Sequence, residues 1–169
     1  MDNIIIRPGH SIGTIELGMT KEEVNVCIQA YSAKYDDSIN RIFEGLFKTE
    51  YAEDGTLISC EIHNGATQVK FLWDKYDVFA TKAPELIEKI DSTSKYLRDC
   101  DSATGYSYVF ADIGIAFWRP SVFNENDIHE DWFKELLPSI QEDEKKYLYF
   151  ESVLICGPNY YDFLKGASE

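Results

Sequence analysis

The chain has 169 residues, 44% hydrophobic and 14% aromatic, and its 30 Asp and Glu against 16 Lys and Arg give a formal net charge of −14. Such a composition excludes a disordered, solvating chain, and at this length one core is expected to bury roughly 70% of the surface that the unfolded chain exposes. The acidic balance excludes direct binding to nucleic acid phosphate or anionic lipid, and leaves open either ordinary solubility or a basic protein partner steered in by the field.

The N-terminal residues Met1 to Pro8 carry no basic n-region, and the apolar run Ile4-Ile5-Ile6 is cut by Arg7 and Pro8, so neither a signal peptide nor a membrane anchor is expected. No later stretch approaches the ~20 apolar residues that span a bilayer, and a cytoplasmic protein is the expectation. Pro8-Gly9-His10-Ser11-Ile12-Gly13 reads as a turn into a strand, since it lacks the third glycine of a dinucleotide loop and the Gly-Lys-Ser/Thr of a P-loop.

After Leu17-Gly18-Met19, Thr20-Lys21-Glu22-Glu23 supplies a capping box, and Val24, Cys27, Ile28 and Tyr31 follow at helical spacing. Phe43 to Phe47 and Thr49 to Tyr51 then read as strand, turning at Asp54-Gly55 into Leu57 to His63. A second turn at Asn64-Gly65 leads to Gln68–Trp73, and the three strands together read as an antiparallel meander. Pro84 opens a short amphipathic helix with Leu86, Ile87 and Ile90. Tyr106 to Phe110 and Ile113 to Trp118 form a strand pair across Ala111-Asp112. Trp132, Phe133, Leu136 and Leu137 suggest a third helix ended by Pro138, and Tyr147 to Cys156 alternates as a last strand. The expected fold is α+β, one domain over residues 1–169, mainly antiparallel sheet (meander and hairpins) with two to three short helices on one face.

Little in this sequence points to catalysis. Only His10, His63 and His129 could serve as a histidine base, and no zincin, nucleophile-elbow or similar motif is present. Cys27, Cys60, Cys100 and Cys156 include no C-x-x-C pair, and Cys27 and Cys156 lie in apolar runs as small hydrophobes, so no metal, disulfide or cofactor is expected.

The informative segment is acidic. Glu125, Asp127, Glu130, Asp131 and Glu135 fall within eleven residues that hold a single base, Lys134, with Trp132 among them, and Glu142, Asp143 and Glu144 follow. Carboxylates around an aromatic anchor suit a basic protein surface, charge giving approach speed and the ring giving buried contact. The same residues also read as a solvated helix and loop with Trp132 turned into the core.

Two segments carry a resemblance. Ile6 to Val24, with Pro8-Gly9-His10-Ser11-Ile12-Gly13 and Leu17-Gly18-Met19-Thr20-Lys21-Glu22-Glu23-Val24, resembles the opening of small bacterial proteins encoded beside polymorphic or contact-dependent growth inhibition toxins, and Phe110 to Arg119 is similar to their later strand pair. The resemblance implies an immunity protein: a cytoplasmic, non-enzymatic inhibitor that binds and blocks a cognate toxin, often a nuclease. It transfers no binding residues. Glu125, Asp127, Glu130, Asp131, Trp132, Glu135, Glu142, Asp143 and Glu144 are the partner-binding candidates on the grounds of charge and aromaticity alone. A small enzyme with a carboxylate site, or an adaptor module binding other proteins, remains the alternative.

Overall fold

A computed structural model describes residues 2–34, 43–66 and 68–165. In chain order the elements are β1 (Asp2–Arg7), β2 (Ser11–Ile12), β3 (Ile15–Glu16), α1 (Lys21–Ser32), β4 (Phe47–Tyr51), β5 (Leu57–His63), β6 (Val69–Trp73) and β7 (Tyr76–Asp77), followed by α2 (Ala83–Asp91), α3 (Cys100–Thr104), β8 (Ser107–Phe110) and β9 (Ile115–Trp118). A long excursion then carries a 3₁₀ turn (Glu125–His129), α4 (Asp131–Lys134), α5 (Pro138–Lys145) and a second 3₁₀ turn (Lys146–Leu148), before β10 (Ser152–Cys156) and α6 (Asp162–Lys165).

The strands form two sheets, β3-β2-β1-β6-β7 and β4-β5-β10-β9-β8, antiparallel throughout except for the β1–β6 pair, and the fold is α+β as expected. Ile4 and Ile6 of β1 and Val69 and Phe71 of β6 join Cys60, Ile62, Phe117, Val153 and Ile155 of the second sheet in one buried cluster. Leu86 and Ile90 of α2 are buried in the same cluster, as are Val24 and Tyr31 of α1.

The capping box forms as the sequence dictates. The Glu23 amide donates to Thr20 Oγ1 at 3.3 Å and the Thr20 amide donates to Glu23 Oε2 at 2.8 Å, satisfying two of the amides that a helix start leaves free. Thr20→Ala is expected to lower stability by about 1 kcal/mol. An unchanged urea midpoint would count against the cap.

Several local expectations are corrected. The meander stops after two strands: β4 and β5 pair across the Asp54-Gly55 turn, but β6 leaves the second sheet and runs parallel to β1, with Ile4 opposite Phe71. Asn64-Gly65 is no tight hairpin turn, since Gly65 lacks a positive φ, and the chain runs on to Val69 before the next strand begins. Residues 43–46 are helical rather than extended, because Phe43 and Leu46 are both buried at a spacing of three. Pro138 opens a helix instead of closing one, its missing N–H costing nothing in a first turn. The last strand starts at Ser152, five residues later than its apolar pattern suggests. Cys27 is half-buried, its thiol donating to Thr14 O at 3.3 Å, whereas Cys60 and Cys156 are buried. Burial pushes the Cys60 thiol up to about 12, which leaves it protonated and inert at neutral pH.

Two seams knit the sheets together. At one, Gly18 N donates to Leu57 O and Leu57 N donates to Met19 O, both at 2.8 Å. At the other, Gly114 O accepts from Gly9 N at 3.1 Å and from Cys156 N at 3.0 Å. The second seam joins the turn after β1 to the turn before β9, so Gly9 and Gly114 serve as scaffold.

Candidate partner-binding surface

Between Trp118, the last residue of β9, and Ser152, the first of β10, the chain leaves the sheet and returns to it as the neighbouring antiparallel strand. The ends of this excursion are fixed by main-chain bonds and one buried cation. Glu151 N donates to Trp118 O at 2.8 Å, and Phe123 N donates to Tyr147 O. The Arg119 guanidinium, only 2% exposed, donates through Nε to Gly105 O at 2.8 Å and through a terminal nitrogen to Tyr147 O at 2.7 Å. Its charge is balanced by carbonyl dipoles, and burial lowers its pKa from the usual arginine value.

Inside the excursion a small aromatic group replaces a core. Phe123 and Phe133 are buried with ring centroids 5.1 Å apart, and Trp132 meets both edge-on at 6.2 and 5.7 Å. Edge contacts of this kind contribute about 0.5–1.5 kcal/mol each beyond area burial. Gln141 Nε2 donates to Phe133 O and Leu136 O, tying α5 back to α4. Asp127 Oδ2 accepts from Asn124 N at 2.7 Å and starts the 3₁₀ turn.

What the excursion exposes is unusual. Trp118, Ile128 (40% exposed), Trp132 (47%), Leu137 (66%) and Ile140 (41%) fall within it or at its root, and among the described residues only Ile5, Val26, Tyr106 and Phe163 are comparably exposed large hydrophobics elsewhere. Neither the 3₁₀ turn nor α5 contributes a single buried side chain. Trp132 is therefore half in the aromatic group and half in solvent, between the two sequence readings.

The candidate carboxylates divide into two sets. Glu125 pairs with Lys82, Asp131 with Lys134 at 3.6 Å, Glu142 with Lys145 at 2.6 Å and Asp143 with Lys146. The Glu125 and Asp143 carboxylates hold the Lys82 and Lys146 ammonium groups above their usual pKa. All four pairs lie at the surface, where such contacts contribute at most about 1 kcal/mol. Glu130, Glu135 and Glu144 make no ion pair among the described residues, and Asp127 bonds only to Asn124. The three glutamates are the charges available to a partner.

Sequence reasoning missed Ile128, Leu137 and Ile140. One signal was legible: the helix Pro-Ser-Ile-Gln-Glu-Asp-Glu-Lys has a single apolar residue and so no face to bury. Elsewhere, His10 and His129 are exposed, and His63 Nε2 lies 3.9 Å from Glu61 Oε2 on β5. No three His, Cys, Asp or Glu side chains gather to hold a metal ion among the described residues, and none of the described helices is long and apolar enough to cross a membrane. Compared with known proteins, the chain matches no family model, no curated protein and no solved structure.

Proposed function

We propose that this protein is a non-enzymatic inhibitor, an immunity protein that binds and neutralises a basic toxin domain in the cytoplasm, with a nuclease as the toxin class whose phosphate-holding groove best suits an acidic blocker. The observation that carries the reading is the excursion between β9 and β10, which exposes Ile128, Trp132, Leu137 and Ile140 among carboxylates while burying only Arg119, Phe123, Phe133 and Phe150. An aromatic anchor held rigid by its neighbours loses little entropy on docking, and unpaired carboxylates around it select a basic surface. The resemblance of residues 6–24 and 110–119 to toxin-linked proteins supports the same direction, and both segments lie outside the main body of the excursion.

The test is stopped-flow association with a basic toxin domain encoded beside the gene. Raising ionic strength from 0.01 to 0.15 M shortens the Debye length from about 30 to about 8 Å, and the on-rate is expected to fall by roughly tenfold while the off-rate changes less. Reversing Glu130, Glu135 and Glu144 to Lys should flatten that dependence. Reversing Glu22, Glu53 and Glu88, which are exposed but lie elsewhere in the chain, should flatten it less. A wild-type on-rate indifferent to salt contradicts a steered encounter, and equal effects from the two sets remove the excursion as its target.

A further inference from the structure

We propose that the cleft beside the Gly9–Gly114 seam is a binding site for an organic cation, a guanidinium or alkylammonium group carried on a flat or alkyl body. The cleft encloses about 620 Å³, within the range of small-molecule sites, and opens where β6, the segment after α2, the β8–β9 turn and the end of β10 come together. Its apolar walls include Trp73, Ile113 and Pro158, and its polar groups are Thr93, Ser94 and Asp112.

The electrostatics choose the ligand's sign. Asp112 is the one charged residue in the lining, it is exposed, and its carboxylate makes no hydrogen bond or ion pair among the described residues. No Lys, Arg or His lines the cleft, so an anion would meet an uncompensated carboxylate in a protein already at −14. The Thr93 hydroxyl donates to Ile90 O at 3.0 Å, which leaves it free to accept, and Ser94 Oγ is unengaged among the described residues. An indole wall and a free carboxylate are the complementary halves of a site for a guanidinium or ammonium group, the ring attracting the cation's face and the carboxylate accepting its N–H donors.

The seam keeps the cleft open from behind. Gly9 and Gly114 have φ of +65° and +68°, and a Cβ on Gly9 would lie 2.8 Å from Ile113 O, so main chain rather than side chain forms that wall. The site is separate from the excursion between β9 and β10, and its test stands or falls independently of the proposed inhibitory role.

Titrating ¹⁵N-labelled protein while following the Trp73 indole resonance tests the assignment, with four probes: propylguanidine, acetyl-Gly-Arg-Gly-amide, acetyl-Gly-Lys-Gly-amide, and acetyl-Gly-citrulline-Gly-amide as the neutral isostere. The arginine peptide is expected to bind roughly tenfold more tightly than the citrulline peptide, in line with a cation–π contact and one carboxylate. Asp112→Asn should reduce that difference to the part the indole supplies, and Trp73→Leu, followed through the Gly114 amide, should weaken every cation. Asp112 supports no other group, so the Asn variant keeps the fold, and an unchanged urea midpoint verifies it. Tighter binding of propylguanidine, which carries the same single charge, than of either charged peptide identifies a free small molecule as the source of the cation, and the reverse order identifies an Arg or Lys side chain of a protein. Equal binding of the arginine and citrulline peptides, no binding of any probe, or an undiminished preference in Asp112→Asn overturns the proposal.

Discussion

Gly114→Ala is expected to destabilise the protein by on the order of 4 kcal/mol or more. A Cβ at position 114 would lie 2.3 Å from Cys156 O and 2.9 Å from Gly9 Cα, and both are main-chain atoms that no rotamer change can move aside. The φ of +68° adds left-handed strain of about 1 kcal/mol for any residue with a Cβ. Relief requires Gly114 to part from both Cys156 and the Gly9 turn, which breaks the two hydrogen bonds converging on Gly114 O. Since a domain's whole stability is about 5–15 kcal/mol, the variant should lose roughly a quarter or more of it. Gly55→Ala is the control: it also carries positive φ, at +84°, but a Cβ there meets nothing within 4 Å, so only the strain is felt. Urea midpoints of the two variants decide the matter. If they coincide, the close approach at the second seam is not what holds the sheets together.

The contrast between these glycines shows where the sequence is readable. Asp54-Gly55 announces a hairpin because a glycine at positive φ closing a short turn is a local requirement, and β4 and β5 pair across it. Thr20 and Glu23 are three residues apart, so their reciprocal bonds can be read directly from the order of residues. Gly114 carries no such label. Its constraint comes from Cys156 and Gly9, and nothing in a one-dimensional pattern brings those three together. The departure of β6 to pair with β1 is hidden for the same reason, as parallel strands far apart in the chain share no turn that could signal them.

The candidate site was half legible. Composition located the acidic segment and its tryptophan, and the structure exposes both. It could not show that Glu125 is paired with Lys82, 43 residues away, or that Asp131, Glu142 and Asp143 are engaged by nearby lysines, which leaves Glu130, Glu135 and Glu144 as the free charges. Nor could it show Leu137 and Ile140 facing solvent, because apolar residues near a helix are read as core until the helix is seen to have none.

The proposed role predicts that affinity resides in those apolar residues and that the charges set the rate of approach. Burying a side chain such as Leu or Trp at an interface commonly carries 2 kcal/mol or more at a hot spot, and roughly 3 kcal/mol corresponds to a factor above 100 in Kd. The most direct measurement is the Kd of the purified protein for the toxin domain encoded beside its gene, comparing wild type with the triple variant Trp132→Ala, Leu137→Ser, Ile140→Ser. Because Phe123 and Phe133 remain in place, the excursion should keep its circular dichroism, with stability lower by about 1–3 kcal/mol for the two lost Trp132 edge contacts. The account predicts binding weakened by more than about 100-fold, almost all of it in the off-rate, with the salt dependence of the on-rate preserved. A folded triple variant that binds the toxin as tightly as wild type would contradict it.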